Sequence, residues 1–259
     1  MERPLEFGDF WRAPSAPIAL SERAIHVWRV ALGAGNETVA GLARLLDPEE
    51  QGRAERFRTE ALRRRFVVRR ARLRQILARY AATPPDALRF ERGPHGKPRL
   101  APPWRRERIE FSASHSADWA LVAVAAGRPV GVDIEQVRPV ADVLDLSRNY
   151  FAASENEALA RLPESERLEV FFQLWVCKEA VLKALGTGLS LGLDQVVVSA
   201  DAMPPRIEAM GHDQDRAAWR LEYLRAAPGF AAALAWEALE TEPGGDPSLE
   251  RYEFPAERP

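Results

Sequence analysis

Two stretches of about 130 residues repeat one order of predicted elements, a strand followed by helices and then by three strands. The strands are predicted at 25–32, 87–91, 108–114, 119–126, 130–137, 194–200, 219–225 and 230–238, and the helices at 47–80 (in two pieces), 140–148, 153–162 and 167–186. Proline-rich breaks fall between several of these elements. The repeat predicts an α+β protein made of two similar halves, 1–129 and 130–259, with a ligand cleft between them.

The composition narrows the class of protein. Of the 259 residues, 46% are hydrophobic and 29% are charged, and the net charge is −2 at pH 7. These values are typical of a soluble globular protein and indicate no general affinity for nucleic acid or membrane surfaces. The single cysteine, Cys177, excludes an internal disulfide and favours a reducing compartment. With no signal-peptide pattern and no apolar run near the roughly 20 residues of a membrane helix, a cytoplasmic protein is expected.

A pair of acids lies on a strand that reads as buried, Gly-Val-Asp-Ile-Glu-Gln-Val at 131–137. Alternation of side chains sends Val132 and Ile134 to one face and Asp133 and Glu135 to the other. Two carboxylates on one side of a strand suit a hard divalent cation such as Mg²⁺, which prefers oxygen ligands. An edge strand with a solvated polar face explains the same pattern, and both interpretations remain open.

The helix at 167–186 carries charges inside an unusually apolar run. Glu179 and Lys183 stand one turn apart, and Gly186 provides the expected stop. An exposed ion pair would stabilise the helix by about 0.3–0.5 kcal/mol. The apolar flanks instead favour a helix that faces a lined cavity.

Arginine dominates the first long helix. Residues 51–75 contain ten arginines against two acids, at 53, 56, 58, 63, 64, 65, 69, 70, 72 and 74. Guanidinium groups match phosphate oxygens, so the segment predicts a local anion site, although a solvated face explains most of the arginines. Nucleic-acid binding is admissible, but no interleaved aromatic residues or reader motif support it.

Two weaker motifs complete the set. Gly93-Pro-His-Gly-Lys97 combines flexible backbone with a cation, and Ser114-His-Ser116 places an imidazole where a strand turns. Taken alone, each is a turn or a polar corner. Gly-Leu-Ser-Leu-Gly at 188–192 imitates the nucleophile elbow of serine hydrolases, but the predicted helix enters and the predicted strand leaves, which reverses the required order. The histidines and the cysteine have no zinc-site spacing.

Together these motifs resemble those of the 4′-phosphopantetheinyl transferases, in the large monomeric group typified by the surfactin-synthetase activator. The matching segments are Gly96-Lys-Pro98, Ser114-His-Ser116, Gly131-Val-Asp-Ile-Glu135, Tyr150-Phe-Ala-Ala-Ser-Glu155 and Trp175-Val-Cys-Lys-Glu-Ala-Val-Leu-Lys-Ala-Leu-Gly-Thr-Gly188. They occur in the family's order between about residue 50 and residue 190. The resemblance implies that family's α+β fold, with two halves related by a pseudo-twofold axis. Ser112 departs from the pattern, since many relatives have asparagine there, and this puts a local turn contact in doubt.

The resemblance also implies roles for individual residues. Asp133, Glu135 and Glu179 resemble the Mg²⁺ ligands of the family, and Lys183 resembles the lysine that contacts the pyrophosphate of coenzyme A. Contacts to the adenosine end and its 3′-phosphate correspond to Lys97, Ser114, His115, Arg65 and Arg53. The first half would then hold the adenosine and 3′-phosphate, and the second half the magnesium and the catalytic residues Asp133, Glu179 and Lys183.

The implied reaction moves phosphopantetheine from coenzyme A to a serine of an acyl- or peptidyl-carrier protein and releases adenosine 3′,5′-bisphosphate. Glu179 is the candidate for accepting the proton of that serine. A monomer without nucleic-acid or membrane partners is expected. The alternatives are a nucleic-acid or anion-binding module that uses residues 53–74 without catalysis, and an inactive relative that serves as a scaffold.

Overall fold

The computed structural model describes residues 11–14, 18–104, 108–199, 204–211, 215–238 and 247–255. The elements run in the order β1 (Ala24–Ala31), α1 (Asn36–Ala43), α2 (Pro48–Glu55), α3 (Glu60–Tyr80), β2 (Phe90–Arg92), β3 (Pro98–Leu100), β4 (Ile109–Ser116), β5 (Trp119–Ala126), β6 (Val130–Gln136), α4 (Val143–Tyr150), α5 (Ala153–Arg161), α6 (Glu164–Leu185), β7 (Val196–Val198), β8 (Ile207–Met210), β9 (Trp219–Tyr223), β10 (Phe230–Glu237) and β11 (Ser248–Glu253). Helices and mainly antiparallel strands confirm the predicted α+β class.

The two halves share one order of elements and one pattern of strand pairing. Elements β1 to β5 form a strand, three helices, a short hairpin and two strands, and elements β6 to β10 repeat that series. In the first sheet β5 pairs antiparallel with β1 and β4, and in the second β10 pairs antiparallel with β6 and β9. β11 then pairs parallel with β1, so the sheet orders are β11-β1-β5-β4 and β6-β10-β9. The end of the chain therefore joins the first sheet.

Buried side chains form three layers that alternate along the strands. Trp28 and Val30 of β1 pack with α3, whereas Ile25 and Val27 of the same strand face the second sheet. In the second half, the alternate residues of β10 divide between the layer under α6 and the layer between the sheets. The order of layers is thus helix, sheet, sheet, helix, as expected when each sheet buries both faces.

Local sequence explains where the main helices begin and end. Asp47 accepts a hydrogen bond from the Glu50 amide, the Glu50 side chain accepts one from the Asp47 amide, and Pro48 occupies the first helical position of α2. The side chain of Thr59 accepts from the amide of Leu62 at the start of α3. Gly186 ends α6 in the left-handed conformation, with φ of 74°.

The predicted elements differ from the observed ones mainly where strands are short. The sequence pattern did not predict α1, β3, β8 and β11. It predicted a strand at 194–200, of which, among the described residues, only the three residues of β7 form a strand. A strand of three or four residues carries too few alternations to be recognised, and the partner of β11 lies more than 200 residues away. After residue 238 the structure describes residues 247–255, which contain β11. No described helix combines the length and apolarity needed to cross a bilayer.

Candidate active site

The polar face of β6 is turned into the protein. Val132 and Ile134 are fully buried between the sheets. Asp133 points to the opposite side, toward α6, and only 2% of its surface is exposed. Glu135 lies on the same side and is half-buried. Since these carboxylates are withdrawn from bulk water, a plain solvated edge strand does not describe β6.

A glycine brings α6 against β6. A Cβ atom at Gly131 would lie 1.9 Å from the carbonyl oxygen of Ala180 and 2.4 Å from the amide nitrogen of Ala184. Both neighbours are backbone atoms, so no side-chain movement could make room. The absence of a side chain at Gly131 therefore lets the helix backbone touch the strand, two residues before Asp133.

That contact assembles a hydrogen-bonded trio from three elements. The Ser114 hydroxyl on β4 donates to Asp133 Oδ1 at 2.6 Å. Lys183 Nζ on α6 donates to the same oxygen at 2.5 Å and to the Ser114 hydroxyl at 3.0 Å. The ammonium thus neutralises a carboxylate that would otherwise be costly to bury.

Glu135 and Glu179 border this trio and share its electrostatic field. Burial raises the pKa of Glu179, and the charges of Asp133 and Glu135 raise it further, while Lys183 opposes the shift. Burial likewise raises the pKa of Glu135 against the hydrogen bond from Ser116. Asp133 and Glu135 on β6 and Glu179 on α6, two elements whose backbones are in contact, are called the acidic centre below.

A row of alternate serines on β4 joins the two sheets beside this centre. The Ser112 hydroxyl accepts from the Val132 amide at 3.1 Å, and the Ser116 hydroxyl accepts from the Gln136 amide at 3.0 Å. Ser116 also donates to Glu135 Oε2 at 2.8 Å. Ser112, where the chain departs from the family pattern, therefore makes a contact between the two halves.

A cavity of about 470 Å³ opens between α3 and the first sheet. It is lined by Val30, Asp47, Glu49, Glu50, Arg53, Phe66, Arg69, Arg70, Arg72, Leu73, Phe90, Glu91, Arg92, Pro98, Ala113, Ser114, Ala120, Leu121 and Val122. The guanidinium of Arg53 lies 5.4 Å from the Phe66 ring centroid. The charged lining residues are five arginines and four acids, so arginines are in slight excess, and the space is called the basic cavity below. Ser114 belongs both to this lining and to the Asp133 trio, so the cavity and the acidic centre are adjacent.

His115 and Arg65, two of the predicted coenzyme A contacts, lie outside the cavity lining. The Arg69 guanidinium is 2.9 Å from His115 Nδ1. Loss of water around the ring, followed by the charges of Arg69 and Lys183, lowers the pKa of His115. Arg65 is not part of the lining; it forms an ion pair with Asp118 at 2.6 Å, where both side chains are exposed.

The structure places Lys97 elsewhere than the cavity. Its ammonium donates to two backbone carbonyl oxygens, that of Val130 at 3.2 Å and that of Ala184 at 3.1 Å. The cavity lining includes its neighbour Pro98 but not Lys97 itself. The lysine of the Gly-Lys-Pro motif thus lies at the junction of β6 and α6.

Most of the arginines predicted as an anion site have partners within the protein. Arg70 and Arg74 bind Glu50, and Arg74 also binds Asp47 at 2.6 Å. The other arginines of this segment with polar partners are Arg63, Arg64, Arg65, Arg69 and Arg72. Arg74 is fully buried. This use of guanidinium groups in the fold does not favour a basic nucleic-acid surface on α3.

One buried ion pair was not predicted. Lys178 Nζ binds Glu155 Oε2 at 2.5 Å with both side chains almost completely inaccessible, and it also donates to the carbonyl oxygens of Leu193 and Val196. The other carboxylate oxygen of Glu155 accepts from the Val198 amide at 2.8 Å. The pair ties α5, α6 and β7 together. The sequence feature that could have indicated this ion pair is Lys178 itself, a lysine within an apolar run.

The donor set of the acidic centre suits a hard cation. Carboxylate oxygens are preferred ligands of Mg²⁺, and Asp133 Oδ2 is buried without a hydrogen-bond partner. Across the described residues, no three His, Cys, Asp or Glu side chains are arranged as a complete metal site. Lys183 supplies the positive charge at Asp133 Oδ1. The residues fit magnesium by ligand type and by the open oxygen.

Two family models match neighbouring parts of the chain. Residues 34–127 match the N-terminal model of 4′-phosphopantetheinyl transferase, and residues 129–235 match the model of the 4′-phosphopantetheinyl transferase superfamily. The first segment contains most of the basic cavity, and the second contains Asp133, Glu135, Glu179 and Lys183.

Relatives of known name agree with these models. The 4′-phosphopantetheinyl transferase HetI of Nostoc is 32% identical over 90% of this chain and 96% of its own length. A putative 4′-phosphopantetheinyl transferase of Synechocystis is 33% identical over 84% and 91%, and Sfp of Bacillus subtilis is 28% identical over 59% and 66%. The solved holo-[acyl-carrier-protein] synthase of Thermotoga maritima aligns at 23% identity over 42% of this chain and 62% of its own, with a TM-score of 0.35, too low to support a conclusion. The near-complete alignment with HetI shows that this chain belongs to the 4′-phosphopantetheinyl transferase family.

Proposed function

We propose that this protein transfers the 4′-phosphopantetheine arm of coenzyme A to a serine of an apo acyl- or peptidyl-carrier protein and releases adenosine 3′,5′-bisphosphate. The observation that carries the proposal is the junction at Ser114, where a basic cavity meets a buried acidic centre. Coenzyme A has a phosphorylated adenosine end and a pyrophosphate to which the arm is attached. A basic pocket beside a group of metal-binding acids matches those two parts in order.

The basic cavity is assigned to the adenosine end. Arg53 makes no ion pair with the described residues, and Arg69 is held by His115 at the same wall. Guanidinium groups bind phosphate oxygens through charge-assisted hydrogen bonds. The apolar lining residues, such as Phe66 and Leu73, provide surface for a base. Arg65, exposed and paired with Asp118, contributes less to this subsite.

The acidic centre is assigned to the pyrophosphate and to the reaction. Asp133, Glu135 and Glu179 would hold Mg²⁺, which when bound supplies a Lewis acid that offsets charge on the phosphate oxygens. Lys183, at the border of both regions, provides a cation for the leaving phosphate. Ser114 orients Asp133 and Lys183 together through one hydroxyl.

Glu179 is assigned the proton of the incoming serine, directly or through water. A useful base at neutral pH has a pKa above that of an ordinary carboxyl group. Burial and the neighbouring carboxylates raise the pKa of Glu179 in this direction. Its position on α6, one turn before Lys183, places the proton acceptor on the same side as the phosphate contact.

The carrier protein is proposed to dock beside α4 and α6. Tyr150 is 45% exposed and packs edge-on against Trp175, one helical turn before Glu179. An exposed aromatic residue that packs on the turn of α6 before the proton acceptor suits a carrier helix whose serine must enter the site. We also propose that the protein acts as a cytoplasmic monomer, since an internally duplicated chain encloses its own site.

The test is transfer itself. The protein is incubated with coenzyme A, Mg²⁺ and an apo carrier protein, and the carrier is weighed by mass spectrometry. The expected result is a carrier heavier by one phosphopantetheine arm, together with stoichiometric adenosine 3′,5′-bisphosphate. Parallel reactions with fatty-acid, polyketide and peptide carriers identify the substrate. Binding of coenzyme A without any modified carrier in all three reactions would contradict the proposal.

A further inference from the structure

Two motifs that are distant in sequence meet at the end of α6. The turn at 93–97 is closed by a hydrogen bond from the Gly93 amide to the Lys97 carbonyl oxygen at 2.9 Å. A Cβ atom at Gly186 would lie 3.2 Å from Lys97 Cδ, and one at Gly188 would lie 3.4 Å from the His95 carbonyl oxygen. Both glycines have positive φ, so the backbone after α6 curves around this turn. The Gly-Thr-Gly segment therefore leaves room for the stem of Lys97.

The ammonium of Lys97 ends between the strand and the helix of the acidic centre. It binds the Val130 carbonyl oxygen at 3.2 Å, one residue before Gly131, and the Ala184 carbonyl oxygen at 3.1 Å, one residue after Lys183. These two carbonyls flank the place where Gly131 admits the α6 backbone. One side chain from the first half thus joins both catalytic elements of the second half.

The positive charge of Lys97 suits its position at the C-terminal end of α6. The last carbonyl groups of a helix have no partners within it and carry partial negative charge, so a cation there is stabilising. Burial lowers the pKa of Lys97 to about 8, while Glu110 opposes and Arg99 adds to the shift. The ammonium therefore needs the carbonyl oxygens that surround it.

We propose that Lys97 is a positioning residue that holds α6 against β6, so that Lys183 and Asp133 keep their relative places. This inference rests on the proposed transferase function and assigns the lysine of the Gly-Lys-Pro motif to the geometry of the acidic centre. A contact with the adenosine end of coenzyme A would instead require its ammonium in the basic cavity.

The experiment compares Lys97→Met with Arg53→Met, which removes a cation from the cavity itself. Methionine retains the length of the lysine stem and loses the donors. For Lys97→Met we expect kcat to fall about tenfold, the value of a hydrogen bond from a charged group. The dissociation constant of coenzyme A, measured by calorimetry, should change less than about twofold. Arg53→Met should show the reverse pattern.

Hydrogen exchange provides a readout that does not depend on catalysis. Amides of the last turn of α6, at 182–186, should exchange faster in Lys97→Met than in the wild type and in Arg53→Met. If Lys97→Met does not fold, Lys97→Gln replaces it, since glutamine retains a donor in place of the ammonium. Weakened coenzyme A binding equal to that of Arg53→Met, with unchanged exchange at 182–186, would overturn the proposal. Failure of the wild type to modify any carrier would contradict the transferase function alone, because the exchange comparison remains.

Discussion

The long helices α3 and α6 occupy equivalent places in the two halves, but they approach their sheets differently. In the first half, large side chains fill the space between helix and sheet. Trp28 of β1 donates to the Tyr80 hydroxyl at the end of α3 at 2.7 Å. Farther along the same interface the arginine-lined cavity of about 470 Å³ remains open. In the second half, Gly131 brings the α6 backbone into direct contact with β6.

This difference in spacing separates two kinds of chemistry. Under the proposed function, the gap in the first half, lined by arginines, acids and apolar side chains, would receive the adenosine and phosphate end of coenzyme A. A direct helix–strand contact places polar side chains from different elements within hydrogen-bond distance, as Ser114, Asp133 and Lys183 show. Under the proposed function, one duplicated fold would provide a binding half and a reacting half, according to which residue lies under the helix.

The largest expected effect is on the free energy of unfolding, and it compares one buried carboxylate from each half, Glu155 and Glu50. Glu155→Gln should lower the free energy of unfolding by about 3–5 kcal/mol, because Lys178 would stay buried without a counter-charge. Glu50→Gln should cost less, because Arg74 keeps its ion pair with Asp47. Urea denaturation of both variants measures the difference. Equal losses would show that the two buried networks are energetically alike.

The acidic centre should respond more in activity than in folding. Asp133→Asn and Glu179→Gln should each reduce transfer about 100-fold or more, as expected for groups that act on the reacting phosphate and proton. The melting temperature should fall less than in Glu155→Gln, because the side chain of Lys183 is 29% exposed and water can solvate it when Asp133 loses its charge. Glu157→Gln, an exposed acid that pairs with Arg161, serves as the control. Mg²⁺-dependent rates near those of wild type in either variant would remove that residue from the site.

The close approach of α6 is tested at Gly131. Gly131→Ala should lower the free energy of unfolding by about 1–3 kcal/mol and reduce transfer, because its methyl group would meet helix backbone. Gly41→Ala is the matched control, since no heavy atom lies within 4 Å of the added Cβ and alanine favours the helix. A Gly131→Ala protein as stable and active as Gly41→Ala would contradict the difference in helix spacing between the halves.

The smallest effects should lie in the basic half. Arg53→Met should raise the KM for coenzyme A about tenfold, which corresponds to the loss of one charge-assisted contact. Arg65→Met should change KM by less than about threefold, since an exposed ion pair contributes little. Steady-state kinetics of the two variants compares the cavity wall with the outer face of α3. A larger rise for Arg65→Met would move the phosphate subsite to that outer face.

The sequence by itself determined the class of fold and the repeated order of elements, and it predicted the acids of the proposed site. These features follow from local patterns. Alternation places Asp133 and Glu135 on one face, and helical spacing places Glu179 and Lys183 one turn apart. The resemblance of the motifs to the 4′-phosphopantetheinyl transferases, now confirmed by the family models and by relatives such as HetI, depended on the same short segments.

Only the tertiary structure decided where the long cationic side chains end. Lys97 reaches carbonyl oxygens of residues 130 and 184, Lys178 reaches Glu155, and Arg65 reaches Asp118. Each of these partners lies more than 20 residues away in the chain, so no local pattern contains it. A flexible lysine or arginine takes its role from whatever oxygen the fold brings within its reach. For that reason the motifs could predict the proposed site, whereas only the packing of the fold determines which oxygen atoms each cation contacts.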